Sequence, residues 1–221
     1  MDKEGINIVV VADGPHKGMK MYGPRLLIKY KNISVLDYMM MGFNKIFPRY
    51  DIYVVSTFKI KKTGIKTVSR GMLVNDCINL IRQFRYCNTL FIFEDTIPNQ
   101  HSLKSIKDTE QSSMVFDSHN ELNKHDLGGV IHGNGVQHLS YGLEVKANSI
   151  QRWSNILYLN QGGAELLDKA VNHPSNQYML NFEIINWIID GGHLIQAIHG
   201  KKIKTLNITT PSDITKIRYI I

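Results

Sequence analysis

The sequence predicts an α/β protein built on a mostly parallel mixed sheet, with a β-hairpin inserted in its second half. Three observations predict it. Short apolar runs rich in β-branched residues alternate with segments of helical hydrophobic period through the first hundred residues. A glycine-rich loop leaves the first of those runs. Past residue 128, two extended runs flank an Asn-Gly turn.

The elements follow in order. Ile8, Val9, Val10 and Val11 make an apolar run too short for a buried helix, so it reads as a buried strand. It leads into Ala12, Asp13, Gly14, Pro15, His16, Lys17, Gly18, Met19, Lys20, Met21, Tyr22, Gly23, Pro24 and Arg25. Glycines off a strand end let backbone N–H groups approach an anion closely, and the lysines add positive charge. A phosphate-binding loop and a plain surface connection both fit these residues. Residues 32–47 carry Val35, Leu36, Met39, Met40 and Phe43 at helical spacing, with Asn32 or Ser34 as cap and Pro48 past the end. Residues 51–58 read as a second strand. Residues 72–84 read as a second helix, with Leu73, Cys77, Leu80, Ile81 and Phe84 on one face. Residues 89–93 are a third apolar strand that runs into Glu94, Asp95, Thr96, Ile97 and Pro98. Strand–helix alternation of this kind implies right-handed crossovers and parallel pairing.

The second half changes character. Residues 101–126 are polar and short of apolar runs, apart from Met114, Val115 and Phe116. A hairpin is expected at 128–146 around His132-Gly133-Asn134-Gly135. Strands are expected at 155–159, 194–198 and 204–208, and helices at 164–171, 178–189 and 211–219. Thr210-Pro211-Ser212-Asp213 reads as the start of the last helix, with Asp213 reaching back to the cap.

The bulk composition narrows the function classes. A chain of 221 residues suits one domain with its own core. No apolar stretch reaches the roughly 18 residues of a membrane span, and the charged start is not that of a signal peptide. Cys77 and Cys87, the only cysteines, make neither a metal spacing nor a disulfide framework, so a reducing, cytoplasmic setting is expected. The net charge of +7 attracts polyanions. That charge is spread in short groups such as Lys59-Lys61-Lys62 and Lys201-Lys202-Lys204, without interleaved aromatics, which argues against nucleic-acid binding as the main function. The nine histidines show no metal spacing, and His132, His138, His193 and His199 read as ordinary surface residues.

In an open parallel sheet, ligands bind beyond the carboxyl ends of the strands. Two polar clusters fall there, the 13–25 loop and Glu94-Asp95. A carboxylate at a strand end beside a phosphate loop suits Mg²⁺, which takes one or two carboxylates plus phosphate oxygens and water. Asp95 as a simple cap of the following turn is the alternative.

These residues resemble a family, the nucleotidyltransferases that make nucleotide-activated sugars, polyols or cholines. The family motif is an apolar strand, Ala-Ala-Gly-x-Gly-x-Arg-Met, then Pro-Lys-x-Leu. It stands here as Val11-Ala12-Asp13-Gly14-Pro15-His16-Lys17-Gly18-Met19, then Pro24-Arg25-Leu26-Leu27. Leu206-Asn207-Ile208-Thr209-Thr210-Pro211-Ser212-Asp213 is similar to the closing strand and helix start of the methylerythritol-phosphate cytidylyltransferase branch. The resemblance implies a Rossmann-like, GT-A-type three-layer sandwich. Residues 1–100 would form its nucleotide-binding half and 101–221 its acceptor half. It implies a Mg²⁺-dependent transfer from a nucleoside triphosphate to a phosphorylated sugar or polyol with release of pyrophosphate, and it allows a homodimer.

The roles carried over are as follows. Ala12, Asp13, Gly14 and Gly18 would cradle phosphates, with Arg70 as a further nucleotide contact. Lys17, Lys20 and Arg25 would be the catalytic cations. Asp95 and Asn207 would face the metal, and Glu183 the acceptor. Five positions depart from the pattern. The second loop glycine is His16, the signature arginine is Gly18, and the lysine after proline is Arg25, which is not a neutral exchange. Where sugar branches place a second metal-binding Asp, Asn207 and Thr209 stand, and the cytidylyltransferase branch has lysine at Asn207. A non-catalytic relative that binds a nucleotide or serves assembly is therefore the alternative. A glycosyltransferase is a poorer match, because Glu94-Asp95 lacks a second Asp at 97.

Overall fold

The computed structural model describes residues 5–12, 17–56, 58, 60, 64–69, 87–93, 96–117, 122, 126–143, 149–176 and 178–220. The first strand, β1 (Ile6–Val11), is buried along its whole length because helices cover both faces of the sheet. Its side chains alternate: Ile8 and Val10 enter one core, Val9 and Val11 the other. Two short 3-10 turns, Lys17–Tyr22 and Arg25–Leu27, lead to a small ribbon of β2 (Lys29–Tyr30) and β3 (Ile33–Ser34). Helix α1 (Val35–Ile46) starts at Ser34, whose hydroxyl accepts from the Asp37 N–H at 3.1 Å. Ser34 rather than Asn32 is thus the cap; Asn32 sits in the ribbon turn with φ of 66°.

β4 (Tyr50–Ser56), β5 (Ile65–Ser69) and β6 (Thr89–Phe93) complete a parallel block in the order β5-β4-β1-β6. β5 lies where no strand was expected. The helix expected at 72–84 falls outside the described residues.

Residues 100–117 of the polar stretch carry a helix and a strand. β7 (Ile97–Pro98) is followed by α2 (Gln100–Asp108), whose few apolar residues, Leu103 and Ile106, are both buried. Asn99 caps it, accepting from the Ser102 N–H at 2.9 Å. β8 (Ser113–Asp117) grows out of the Met114–Phe116 run.

The hairpin forms as expected, with β9 (Leu127–His132) and β10 (Gly135–Tyr141) joined by Gly133 at φ of 58°. β11 (Ile150–Leu159) is twice the expected length. Its register slips between Trp153 and Leu157, where Asn155 has φ of 59°. The bulge lets one strand serve two partners: its first residues pair with β9 and its last with β6.

Helices α3 (Gln161–Asn172) and α4 (Asn181–Asp190) precede β12 (Gln196–Ile198) and β13 (Thr205–Leu206). α5 (Pro211–Lys216) then runs on as a 3-10 turn, Ile217–Tyr219.

The main sheet has nine strands in the order β5-β4-β1-β6-β11-β8-β12-β10-β9, and β9 returns to β11. Five strands therefore close into a ring at one end. Close packing inside that ring needs Gly129, where a Cβ would lie 2.4 Å from the buried Phe116 ring. α1, α2 and the closing segment cover one face, and α3 and α4 the other. The result is the three-layer sandwich on a mixed sheet that was expected, with four parallel and five antiparallel pairings among the described residues in place of a mostly parallel sheet. No helix among the described residues is long and apolar enough to cross a membrane.

Candidate active site

The site forms at the carboxyl edge of the parallel block. β1 ends there at Val11, between Val55 of β4 and Phe93 of β6. Ala12 is fully buried, and its N–H donates to the Val55 carbonyl at 2.8 Å, which fixes the point where the loop departs. Asp13 and Gly14, at the centre of the loop, lie outside the described residues, as do Arg70 and Asp95.

The loop's outgoing limb is anchored by packing. Lys17 and Gly18 begin the first 3-10 turn, Met19 is fully buried, and Lys20 is exposed. Pro24 opens the second turn, which buries Arg25 and Leu26. Arg25 is only 6% exposed. A cation at that depth is costly unless the fold or a ligand compensates it, which sets it apart from the exposed Lys20. Met19, Leu26 and Ile28 belong to the same core as Ile97, Ile203, Ile208 and Ile217. The loop limb and the closing segment are therefore held against one scaffold.

The closing segment reaches the site through a two-residue pairing. β13 lies antiparallel to β7, with Leu206 opposite Ile97. That register sets Asn207 beside Thr96, the residue after Asp95. The buried Thr96 hydroxyl donates to Asn207 Oδ1 at 2.6 Å. Asn207 thus stands at the end of β6, where a metal-facing residue was expected, but its carbonyl oxygen is engaged by a protein donor. Among the described residues, no three His, Cys, Asp or Glu side chains gather into a metal-binding group.

Glu183 has a different occupation. It sits at the third position of α4, exposed, and its Oε2 accepts from the Leu180 N–H at 2.6 Å. It closes the helix start. Asp213 does the same for α5, accepting from the N–H groups of Thr210 at 2.8 Å and Thr209 at 3.2 Å and from Lys216 Nζ at 2.6 Å. Burial alone would raise its pKa; the hydrogen bonds outweigh it and hold the carboxyl well below the usual range.

Four residues at this edge escaped the sequence reading. Asp117 ends β8, buried, and pairs in register with Arg152 of β11. Gly128 flanks Arg152 on the other side and adds no side chain there. Phe93 ends β6, half-buried, stacked on Phe91 at 6.0 Å and edge-on to the buried Trp153 at 5.7 Å. Asp117 follows an apolar run much as Glu94-Asp95 does, and that was the available signal.

His193 corrects the surface reading. It is half-buried at the opposite edge, with Nε2 2.8 Å from the Ser112 hydroxyl, and burial lowers its pKa.

Solved structures share this fold over nearly the whole chain. A structure described as a glucose-1-phosphate thymidylyltransferase from Bacillus anthracis, in complex with sucrose, matches over 97% of this chain and 94% of its own, with a TM-score of 0.73. The fold is that of the sugar-phosphate nucleotidyltransferases. An inositol-1-phosphate CTP transferase from T. maritima matches over 99% and 98%, with a TM-score of 0.66. A UTP-bound UDP-glucose pyrophosphorylase from Acinetobacter baumannii matches over 97% and 92%, with a TM-score of 0.72. Identities are 8%, 11% and 8%. The sequence matches no family model and no curated protein.

Proposed function

We propose that the protein is a nucleotidyltransferase that joins a nucleoside triphosphate to a phosphorylated sugar or polyol. An oxygen of the acceptor phosphate attacks the α-phosphorus. The bond from that phosphorus to the α–β bridging oxygen breaks, and pyrophosphate leaves. Such chemistry needs alignment and charge neutralisation more than covalent catalysis. The backbone of the 12–18 loop would cradle the triphosphate. Arg25, with Lys17 and Lys20, would neutralise the developing charge. Arg152 offers a cation toward the acceptor phosphate, and Phe93 an apolar wall. Asp95 would hold Mg²⁺, which would supply positive charge to offset that of the phosphates.

The observation that carries this reading is that the outgoing limb of the loop after β1 and the closing segment pack into one core at the carboxyl edge, where the Thr96–Asn207 bond ties the closing segment to the residues after β6. The test is pyrophosphate release from each of the four nucleoside triphosphates with glucose 1-phosphate or inositol 1-phosphate as acceptor. Activity with one nucleotide, lost in Asp95→Asn with the fold intact, supports the assignment. Nucleotide binding without turnover on any acceptor would favour the non-catalytic reading.

A further inference from the structure

Three other asparagine amides, those of Asn99, Asn186 and Asn160, are used at both ends. Asn99 accepts from Ser102 and donates to the Lys202 carbonyl at 2.8 Å. Asn186 accepts from the Leu139 N–H at 2.8 Å and donates to the Leu139 carbonyl at 2.9 Å. Asn160 accepts from Gly163 and donates to the Glu110 carbonyl at 3.2 Å. Asn207 differs from these three. Its Oδ1 takes the Thr96 hydroxyl, and its Nδ2 has no acceptor among the described residues. The side chain is half-buried at the carboxyl edge, so the two N–H donors are neither sealed in the core nor splayed into bulk water.

The orientation decides the chemistry. Thr96 is fully buried, and its hydroxyl pins the amide oxygen from one side. The nitrogen is then the prong left for a ligand. A neutral amide with its oxygen committed is a poor partner for Mg²⁺, which prefers charged oxygens. Two N–H donors suit a phosphate oxyanion. We infer that Asn207 binds a phosphate oxygen of the substrate through Nδ2 rather than a metal through Oδ1, with Thr96 as the positioning residue. This rests on the nucleotidyl-transfer reading and deepens it: it leaves the metal to Asp95 and phosphate oxygens.

Calorimetric titration of inorganic pyrophosphate and of glucose 1-phosphate into the full chain tests it, first without Mg²⁺. Asn207→Ala should weaken one of the two by about tenfold, the worth of a hydrogen bond to a charged group. Which one weakens tells whether the donor or the acceptor phosphate is held. The isosteric Asn207→Asp should weaken it further, since a carboxylate repels the anion. Thr96→Val should lose part of the same affinity by freeing the amide to turn. The Mg²⁺ concentration needed for half-maximal nucleotide binding should be the same in Asn207→Ala as in the wild type. Unchanged anion affinities in folded Asn207→Ala and Asn207→Asp, or a raised Mg²⁺ requirement in Asn207→Ala, would overturn the inference alone. A wild type that binds neither anion nor any nucleotide would overturn both it and the function it rests on.

Discussion

Two buried hydroxyls stand at opposite edges of the sheet, each bonded to an asparagine. At the amino edge of β8, Ser112 lies within 3.0 Å of Asn160 Oδ1 and 2.8 Å of His193 Nε2, and accepts from the Asn160 N–H at 3.2 Å. Asn160 in turn caps α3. Every polar atom of that asparagine amide is used within the protein. At the carboxyl edge, the Thr96–Asn207 pair stops one bond short. The difference teaches what each is for. A closed network orders the fold; an open one, fixed on one side and exposed on the other, is built to receive something. Asn207 Nδ2 is not sealed in the core, so a ligand at this edge can reach it.

Breaking the amino-edge network should change stability and leave binding alone. A Cβ at Gly163 would lie 2.5 Å from Ser112 Oγ and 2.8 Å from His193 Nε2. Gly163→Ala should therefore cost about 1–3 kcal/mol through overpacking, read by urea denaturation, with nucleotide affinity unchanged. A loss of affinity instead would mean that the two edges are coupled. At the carboxyl edge the expected signature is reversed for Arg25→Ala, which should slow turnover more than tenfold, about 1.4 kcal/mol in barrier. Single-turnover kinetics with unchanged rate would remove Arg25 from the chemistry.

Asp213 sharpens the contrast near the closing segment. Asp213→Ala should cost about 0.5–2 kcal/mol as a lost cap, with no effect on the Mg²⁺ requirement. Its folded pKa is depressed, so its contribution is complete above the unfolded value of 3.8 and is lost as the pH falls through the lower folded value. Thermal melts of wild type and variant should converge in that acid range. The smallest effect is expected at His193. Its pKa is lowered from 6.5, so the unfolded chain takes up the proton first and stability declines as the pH drops below that value. His193→Gln should flatten that slope between about pH 7 and 5, as followed by melting temperature.

The contrast between edges also explains what was legible in the sequence. Local signals located β1, α1, β4, β6, the hairpin and the Thr210–Asp213 cap, because apolar runs, helical spacing and turn residues are contiguous. α2 was not legible, since it rests on an Asn99 cap and two apolar residues whose burial depends on α1 and the closing segment. The full length of β11 was hidden because its bulge interrupts the strand period. Glu183 was not recognisable as a helix start, because Leu180 supplies no hydroxyl at the cap position. The site was readable only as a loop and a strand-end acid. Asp117, Arg152 and Phe93 join it through strand register, and Asn207 gains its partner across more than a hundred residues of chain. No local pattern encodes those meetings.

On the proposed function, the carboxyl edge receives nucleotide phosphates. A thermal-shift panel with ATP, CTP, GTP and UTP, each with and without Mg²⁺, tests it most directly. A ligand at about a hundred times its dissociation constant adds about 2.7 kcal/mol of stability. The account predicts that one nucleotide raises the melting temperature clearly when Mg²⁺ is present, and that Arg25→Ala abolishes the rise while Gly163→Ala keeps it from a lower baseline. No shift with any nucleotide would contradict it.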